Sequence, residues 1–279
     1  MQTRNYLLYD VFTTERLAGN PLAVVLDCKG LDTAAMQAIA REFNLSESVF
    51  VLPPDNPKHK NRIRIFTPDY EMPFAGHPTL GTAFACRALG KGGDELTLEM
   101  RAGIIPVSAQ GDRWTLRANA PTWRDAPVEP VARMLSLNTE DLAGKPLWVK
   151  AGKEQLIVPL KDEAAVRRVR PNVELMQLVK SEDGHSMAYV FAHISETQLL
   201  SRFFFPSGTA ILEDPATGSA TANLGGWLIA SGKALPLSYQ IAQGEYTGRP
   251  SSLHLRVTAE RDIFVSGEVI ELGRGTVNV

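Results

Sequence analysis

Two ionisable residues stand directly before matching blocks in this chain. His77 precedes Pro78-Thr79-Leu80-Gly81-Thr82-Ala83 and Asp214 precedes Pro215-Ala216-Thr217-Gly218-Ser219-Ala220, with the prolines 137 residues apart in a sequence of 279. An imidazole and a carboxylate at one repeat phase are suited to acid-base chemistry, one group from each copy. The pairs Gly81-Thr82 and Gly218-Ser219 leave room for a ligand to reach the backbone, and the unpartnered N–H groups of a helix start attract anions. Gly76, just ahead of His77, joins them as a candidate contact. A small carboxylate held between the two halves is the natural occupant.

A third group is Glu47, in Asn44-Leu45-Ser46-Glu47-Ser48, at the joint between a helix that ends near Asn44 and a strand that begins near Ser48. It is either a solvated loop carboxylate or one directed inward, where desolvation raises the pKa into a range useful for moving protons. Spacing leaves both open. Structural roles also exist for the others. Aspartate is a favoured N-cap, so Asp214 serves a helix start as well as a reaction. His77 sits in an otherwise apolar run and is a poor cap, yet a lone buried histidine is often only a hydrogen-bonded core residue. Thr82 and Ser219 are able to satisfy backbone carbonyls, and the glycines to allow close packing. Co-occurrence at one repeat phase sets the group apart.

The elements that must hold these residues follow from the same blocks. Proline suits the first turn of a helix, so each block predicts a helix opening there, with His77 and Asp214 at the cap. No formal charge occurs from Pro78 to Cys86 or from Pro215 to Gly232, which predicts helices buried all round and stopped at Gly90 and Gly232. Alternating or short apolar runs predict strands at 6–12, 21–26, 48–52, 62–66, 95–100, 104–108 and 114–117. A second series falls at 147–150, 155–159, 187–192, 202–205, 253–258, 263–266 and 269–271. Further helices are expected over 32–43, with Ala35, Ile39 and Phe43 on one stripe, and near 130–137, 162–169 and 173–179. The proline-rich segment 118–127 reads as a linker. Lobes at 1–118 and 119–262 follow, with the last strand, 263–279, returning to the first.

Composition excludes several classes. The chain is 44% hydrophobic, enough for a sizeable core, and its net charge of −2 gives no basic footprint for nucleic acid. The start alternates like a strand rather than forming a signal peptide. Thr217, Ser219, Thr221 and Asn223 argue against a membrane helix in the uncharged second block. Two cysteines, Cys28 and Cys86, imply no disulfide framework and fit a reducing cytoplasm. His59, His77, His185, His193 and His254 show no metal-ligand spacing, and no complete phosphate or dinucleotide loop is present, so neither metal nor organic cofactor is expected.

Five blocks together carry a resemblance: Ala18-Gly19-Asn20-Pro21, Asn44-Leu45-Ser46-Glu47-Ser48-Val49-Phe50-Val51, Arg62-Ile63-Arg64-Ile65-Phe66-Thr67-Pro68, Pro73-Phe74-Ala75-Gly76-His77-Pro78 with its continuation to Ala83, and Glu213-Asp214 with the block to Ala220. The chain resembles the PhzF family of phenazine-biosynthesis isomerases from Tyr6 to Thr276. The resemblance implies an α+β fold of the diaminopimelate-epimerase type: two pseudo-symmetric lobes, each a β-barrel-like sheet wrapped around a central α-helix, with the active site in the cleft between them. It implies that Glu47 lifts a proton from one carbon of a dihydro-hydroxyanthranilate-like ring and returns it to another. His77, Asp214 and Ser219 would hold the substrate and assist, and the Gly218-Ser219 backbone would receive its carboxylate. It implies a homodimer and no cofactor. Epimerases of this fold place a cysteine before each central helix, and here His77 and Asp214 occupy those places. An amino-acid racemase using Glu47 and Asp214, or a carboxylate-binding protein without turnover, are the alternatives from other classes; a metal hydrolase is the weakest.

Overall fold

The computed structural model describes residues 2–55 and 61–279, so His59 lies outside the described residues. Along the chain run β1 (Thr3–Val11), β2 (Asn20–Val25), α1 (Thr33–Phe43), β3 (Glu47–Leu52), β4 (Asn61–Phe66), β5 (Glu71–Met72), α2 (Gly76–Ala88), β6 (Glu95–Met100), β7 (Gly103–Gln110) and β8 (Arg113–Arg117). There follow β9 (Thr122–Asp125), α3 (Val128–Met134), β10 (Leu147–Lys150), β11 (Glu154–Pro159), α4 (Glu163–Arg168), α5 (Val173–Met176), β12 (Ala188–His193), β13 (Gln198–Ser207), β14 (Ala210–Asp214), α6 (Gly218–Ala230), β15 (Leu237–Gln243), β16 (Ser251–Val257) and β17 (Ile263–Asn278). Two compact units divide the chain: one holds residues 1–117 and 266–279, the other 118–265.

In the first unit β1 pairs antiparallel with both β17 and β2, and β2 runs parallel to β3. The sheet continues through β4, β6, β7 and β8, and β8 pairs with β17, which closes the ring. Inside it lies α2, packed on β1, β2, β3, β6 and β8. In the second unit β9, β10, β11, β12, β13, β15 and β16 are joined in that order, with β14 hanging from the far end of β13. There α6 packs on β9, β10, β11 and β16, strands from both ends of the series, so this sheet too curls around its helix.

The charge-free helices are buried as their sequences require. In α2 every residue from Gly76 to Ala83 is buried, and in α6 every residue from Ala220 to Leu228. Gly90 and Gly232 lie just past the two helices at φ +69 and +74, the left-handed conformation that ends a helix most easily at glycine. After α2 the amides of Gly90 and Lys91 bond back to Arg87 and Cys86, satisfying the last carbonyls. By contrast α1 is amphipathic: Asp32 accepts from the Ala35 amide at 2.8 Å, and Met36, Ile39 and Ala40 turn inward onto Phe50 and Phe66. The buried stripe is therefore centred one position on from Ala35.

Several expectations fail for identifiable reasons. Residues 118–127 are not only a linker, because Thr122–Asp125 forms β9 against β10. Its side chains are mostly exposed, so backbone pairing rather than burial makes it a strand and hydropathy carries no sign of it. The runs at 263–266 and 269–271 belong to one long strand, β17. Strands β5, β14 and β15 were not foreseen; in β15 the inward positions are Tyr239, Ile241 and Gln243, and the last is polar because it has partners described below.

Candidate active site

The helix starts differ from the proline rule. In the first unit α2 begins at Gly76, so His77 is already in the first turn and Pro78 is the third helical residue. Its N–H would have been unpartnered there too, so proline is tolerated. In the second, α6 begins only at Gly218, three residues after Pro215, and Asp214 ends β14 rather than capping the helix. Gly81 and Thr82 consequently lie inside α2, where amides bond to carbonyls one turn back and are closed to a ligand. Gly81 is a packing glycine: a Cβ there would sit 2.5 Å from Leu22 Cδ2. The open amides of the first unit are those of Gly76 and His77.

What the two central helices share is the lack of a side-chain cap. Ala75 before α2 has no acceptor to offer, and Thr217 before α6 turns its hydroxyl elsewhere. Of the peripheral helices, α1, α4 and α5 are capped by Asp32, Asp162 and Asn172, while α3, preceded by Pro127, has no side-chain cap either. First-turn amides without a cap, at the positive end of a helix dipole, are groups suited to an anion.

In the first unit Glu47 and His77 meet. Glu47 opens β3 beside Leu22 of β2, and its Oε2 lies 3.5 Å from His77 Nε2, with both side chains largely buried. The imidazole also hydrogen-bonds the backbone of Pro21, which has only a carbonyl to offer, so the ring N–H donates. Since Nε2 is the atom nearest Glu47, Nδ1 carries that proton. Burial holds the imidazole neutral, with a pKa pushed down to about 3 against the opposing pull of the Pro21 bond. The Nε2 lone pair and the Glu47 carboxyl are then two bases within reach of one proton.

Pro21 is set in turn by the loop before it. Buried Asp10 accepts from the Leu17 amide at 2.7 Å, and Gly19 turns the chain at φ +67, where a Cβ would lie 2.4 Å from the Val11 carbonyl oxygen. Ser46 donates to Asn20 Oδ1 at 2.9 Å, tying this loop to the one that carries Glu47.

The neutral histidine makes stability depend on acid. As pH falls below the unfolded value of 6.5, the unfolded chain takes up a proton that the native state refuses until about pH 3. Stability should drop through that window, by about 2 kcal/mol at pH 5 from this group. His77→Gln should remove that share of the loss, read as a smaller difference between urea midpoints at pH 7 and pH 5.

In the second unit Asp214 is held by a pair of residues. Thr217 Oγ1 donates to Asp214 Oδ2 at 2.5 Å. Gln243 Oε1 accepts from the Thr217 amide at 3.3 Å, while Nε2 donates to the Asp214 carbonyl and to Thr217 Oγ1, each at 2.9 Å. Because backbone groups fix which end of this amide is which, the threonine hydroxyl must accept from Gln243 and give its own proton to the carboxylate. These bonds also keep residues 214–217 extended, which delays the start of α6. Gln243→Leu should leave the buried Thr217 amide without this acceptor and lower stability by about 1–3 kcal/mol in chemical denaturation.

Ser219 is in the first turn of α6 and accepts from Gln155 Nε2 at 3.0 Å. The pairings of Gln155, Thr217 and Gln243 escape sequence reading, although a glutamine at an inward strand position is the kind of signal that marks such a partner. Cys28 and Cys86 are buried thiols with pKa pushed up to about 12 by burial. Among the described residues no cluster of three or more His, Cys, Asp or Glu could hold a metal ion, and no helix is long and apolar enough to cross a membrane.

A sheet curled around a buried helix in each unit is the diaminopimelate-epimerase-like α+β architecture, which proline racemases share at the level of fold alone. The phenazine biosynthesis-like protein family, PhzC-PhzF, matches residues 9–272. The chain belongs to that family and is an isomerase. It is 46% identical over 290 residues to an uncharacterized isomerase of Mesorhizobium japonicum, covering 96% of this chain and 95% of that protein. It is 36% identical over 263 residues to the trans-2,3-dihydro-3-hydroxyanthranilate isomerase of Pseudomonas aeruginosa, covering 90% and 89%. The crystal structure of a PhzF-family protein from Bacillus anthracis matches with a TM-score of 0.88 at 28% identity over the full length of both chains.

Proposed function

We propose that this isomerase shifts a proton between carbons of a small cyclic or unsaturated carboxylate of the trans-2,3-dihydro-3-hydroxyanthranilate kind, with Glu47 as the base. The observation that carries the reading is the 3.5 Å approach of a Glu47 oxygen to a buried, neutral His77. The carboxylate takes a proton from a ring carbon, the electron pair of the broken C–H bond moves into the conjugated system, and the carboxylic acid so formed, which exchanges with solvent, delivers a proton to a second carbon. His77 Nε2 keeps a lone pair directed at the acid so formed and steadies it between the two transfers. Distances somewhat longer than a hydrogen bond are common at such pairs before substrate arrives.

In this proposal the substrate carboxylate is taken by the uncapped amides of Gly218 and Ser219, and Asp214, whose orientation Thr217 and Gln243 support, assists the proton movement. Gly76 contributes an open amide. The reading includes the homodimer, which sedimentation velocity tests. The function itself is tested by incubating the protein with trans-2,3-dihydro-3-hydroxyanthranilate in heavy water. Carbon-bound deuterium should appear by NMR at the accepting position; recovery of unlabelled, unrearranged substrate at high enzyme concentration would count against this substrate class.

A further inference from the structure

The hydroxyl of Ser219 is oriented from the opposite end of a buried amide chain. Asn223 lies one turn along α6, and its two ends are identified by backbone groups: Oδ1 accepts from the Ala151 amide at 2.7 Å and Nδ2 donates to the Lys153 carbonyl at 2.9 Å. An N–H cannot accept and a carbonyl cannot donate, so the amide has one orientation. Nδ2 also donates to Gln155 Oε1 at 2.8 Å. That leaves Gln155 Nε2 facing Ser219 Oγ, as donor, at 3.0 Å.

Gln155 and Asn223 are 3% and 1% exposed, so the chain is shielded from exchange with water, whereas Ser219 is partly exposed. With one lone pair of Oγ occupied by Gln155, the serine proton is directed away from the protein network. No protein acceptor takes it among the described residues. We infer that Gln155 and Asn223 are positioning residues that hold Ser219 Oγ with its proton turned outward, ready to be donated to an ionised ligand oxygen. The inference deepens the proposed carboxylate role of Ser219 and rests on it for the identity of the ligand.

The contrast with Thr217 supports it. There a glutamine with backbone-fixed polarity also occupies a hydroxyl lone pair, and the proton is given to a protein carboxylate, Asp214. At Ser219 the same device ends without a protein carboxylate. Charge-assisted hydrogen bonds are roughly twice as strong as neutral ones, so a hydroxyl held with its proton outward favours an anion.

The test is a double-mutant cycle with Gln155→Met, Ser219→Ala and both, using 3-hydroxyanthranilate as a probe that cannot isomerise. Calorimetry should show Gln155→Met weakening binding about 5–10-fold, in line with the net contribution of one ordinary hydrogen bond. The same change in the Ser219→Ala background should alter affinity less than 2-fold, because the two residues then share one effect. Equal weakening in both backgrounds would overturn the relay and leave Gln155 a packing residue. A second measurement needs no ligand: in ¹⁵N-labelled protein Ser219→Ala should shift the Gln155 side-chain amide resonances. An unmoved amide would overturn the inference. If wild type fails to bind 3-hydroxyanthranilate while the amide shifts, the relay stands and the carboxylate reading falls.

Discussion

Glu47→Gln should abolish the incorporation of carbon-bound deuterium from heavy water while leaving affinity for 3-hydroxyanthranilate nearly unchanged. The amide keeps the size and hydrogen-bonding shape of the side chain but cannot take and return a carbon-bound proton. A positioned acid-base group commonly contributes about 10²–10⁴-fold in rate, and here the same group is asked to act twice. His77→Gln should have a smaller effect, since in the proposed mechanism the ring steadies the proton without meeting the carbon. If exchange survived in Glu47→Gln and vanished in His77→Gln or Asp214→Asn, the base would be reassigned to the symmetry-related pair, and the racemase-like reading would replace the one proposed.

Gly244→Ala should be among the most damaging single substitutions in the protein. The residue follows Gln243 at φ +87, and a Cβ there would lie 2.2 Å from the Arg249 carbonyl oxygen and 2.7 Å from that of Pro215. Both obstacles are backbone, so neither can swing aside, and the left-handed conformation adds its own strain. Summing strain and overpacking gives a loss of about 3–5 kcal/mol. Relief requires moving the backbone at Arg249 and at Pro215, beside Asp214, so Asp214 should shift and turnover fall in whatever fraction stays folded. Gly152→Ala is the control. Nothing lies within 4 Å of the Cβ it would gain, and its backbone is outside the left-handed region. Its unfolding midpoint in urea should stay within a small interval of wild type, while that of Gly244→Ala falls sharply.

Much of the architecture is legible in the chain because it follows from local chemistry. The uncharged runs after Pro78 and Pro215 require burial on all sides, and the strand-like runs around them in the sequence supply the wrapping. Gly90 and Gly232 end those helices because glycine alone adopts φ near +70 without strain. Strands with alternating burial, such as β16, announce themselves; β9 does not, since its pairing with β10 is a backbone event that exposed side chains do not record.

The candidate groups, Glu47, His77, Asp214, Ser219 and the glycines beside them, can be named from residue types and spacing. How they are placed follows only from the folded chain. Spacing could not tell whether Glu47 faced water or protein, and parallel pairing of β3 with β2 turned it toward His77. Repeat symmetry placed Gly81 with Gly218, yet α2 starts five positions earlier in the repeat than α6, because Gln243 holds residues 214–217 extended from a distant strand. The protonation of His77 and the direction of the Ser219 hydroxyl depend on burial and on the polarity of amides at Asn223 and Gln155. Such effects act through space between residues far apart in the chain, and no local pattern of residue types encodes them.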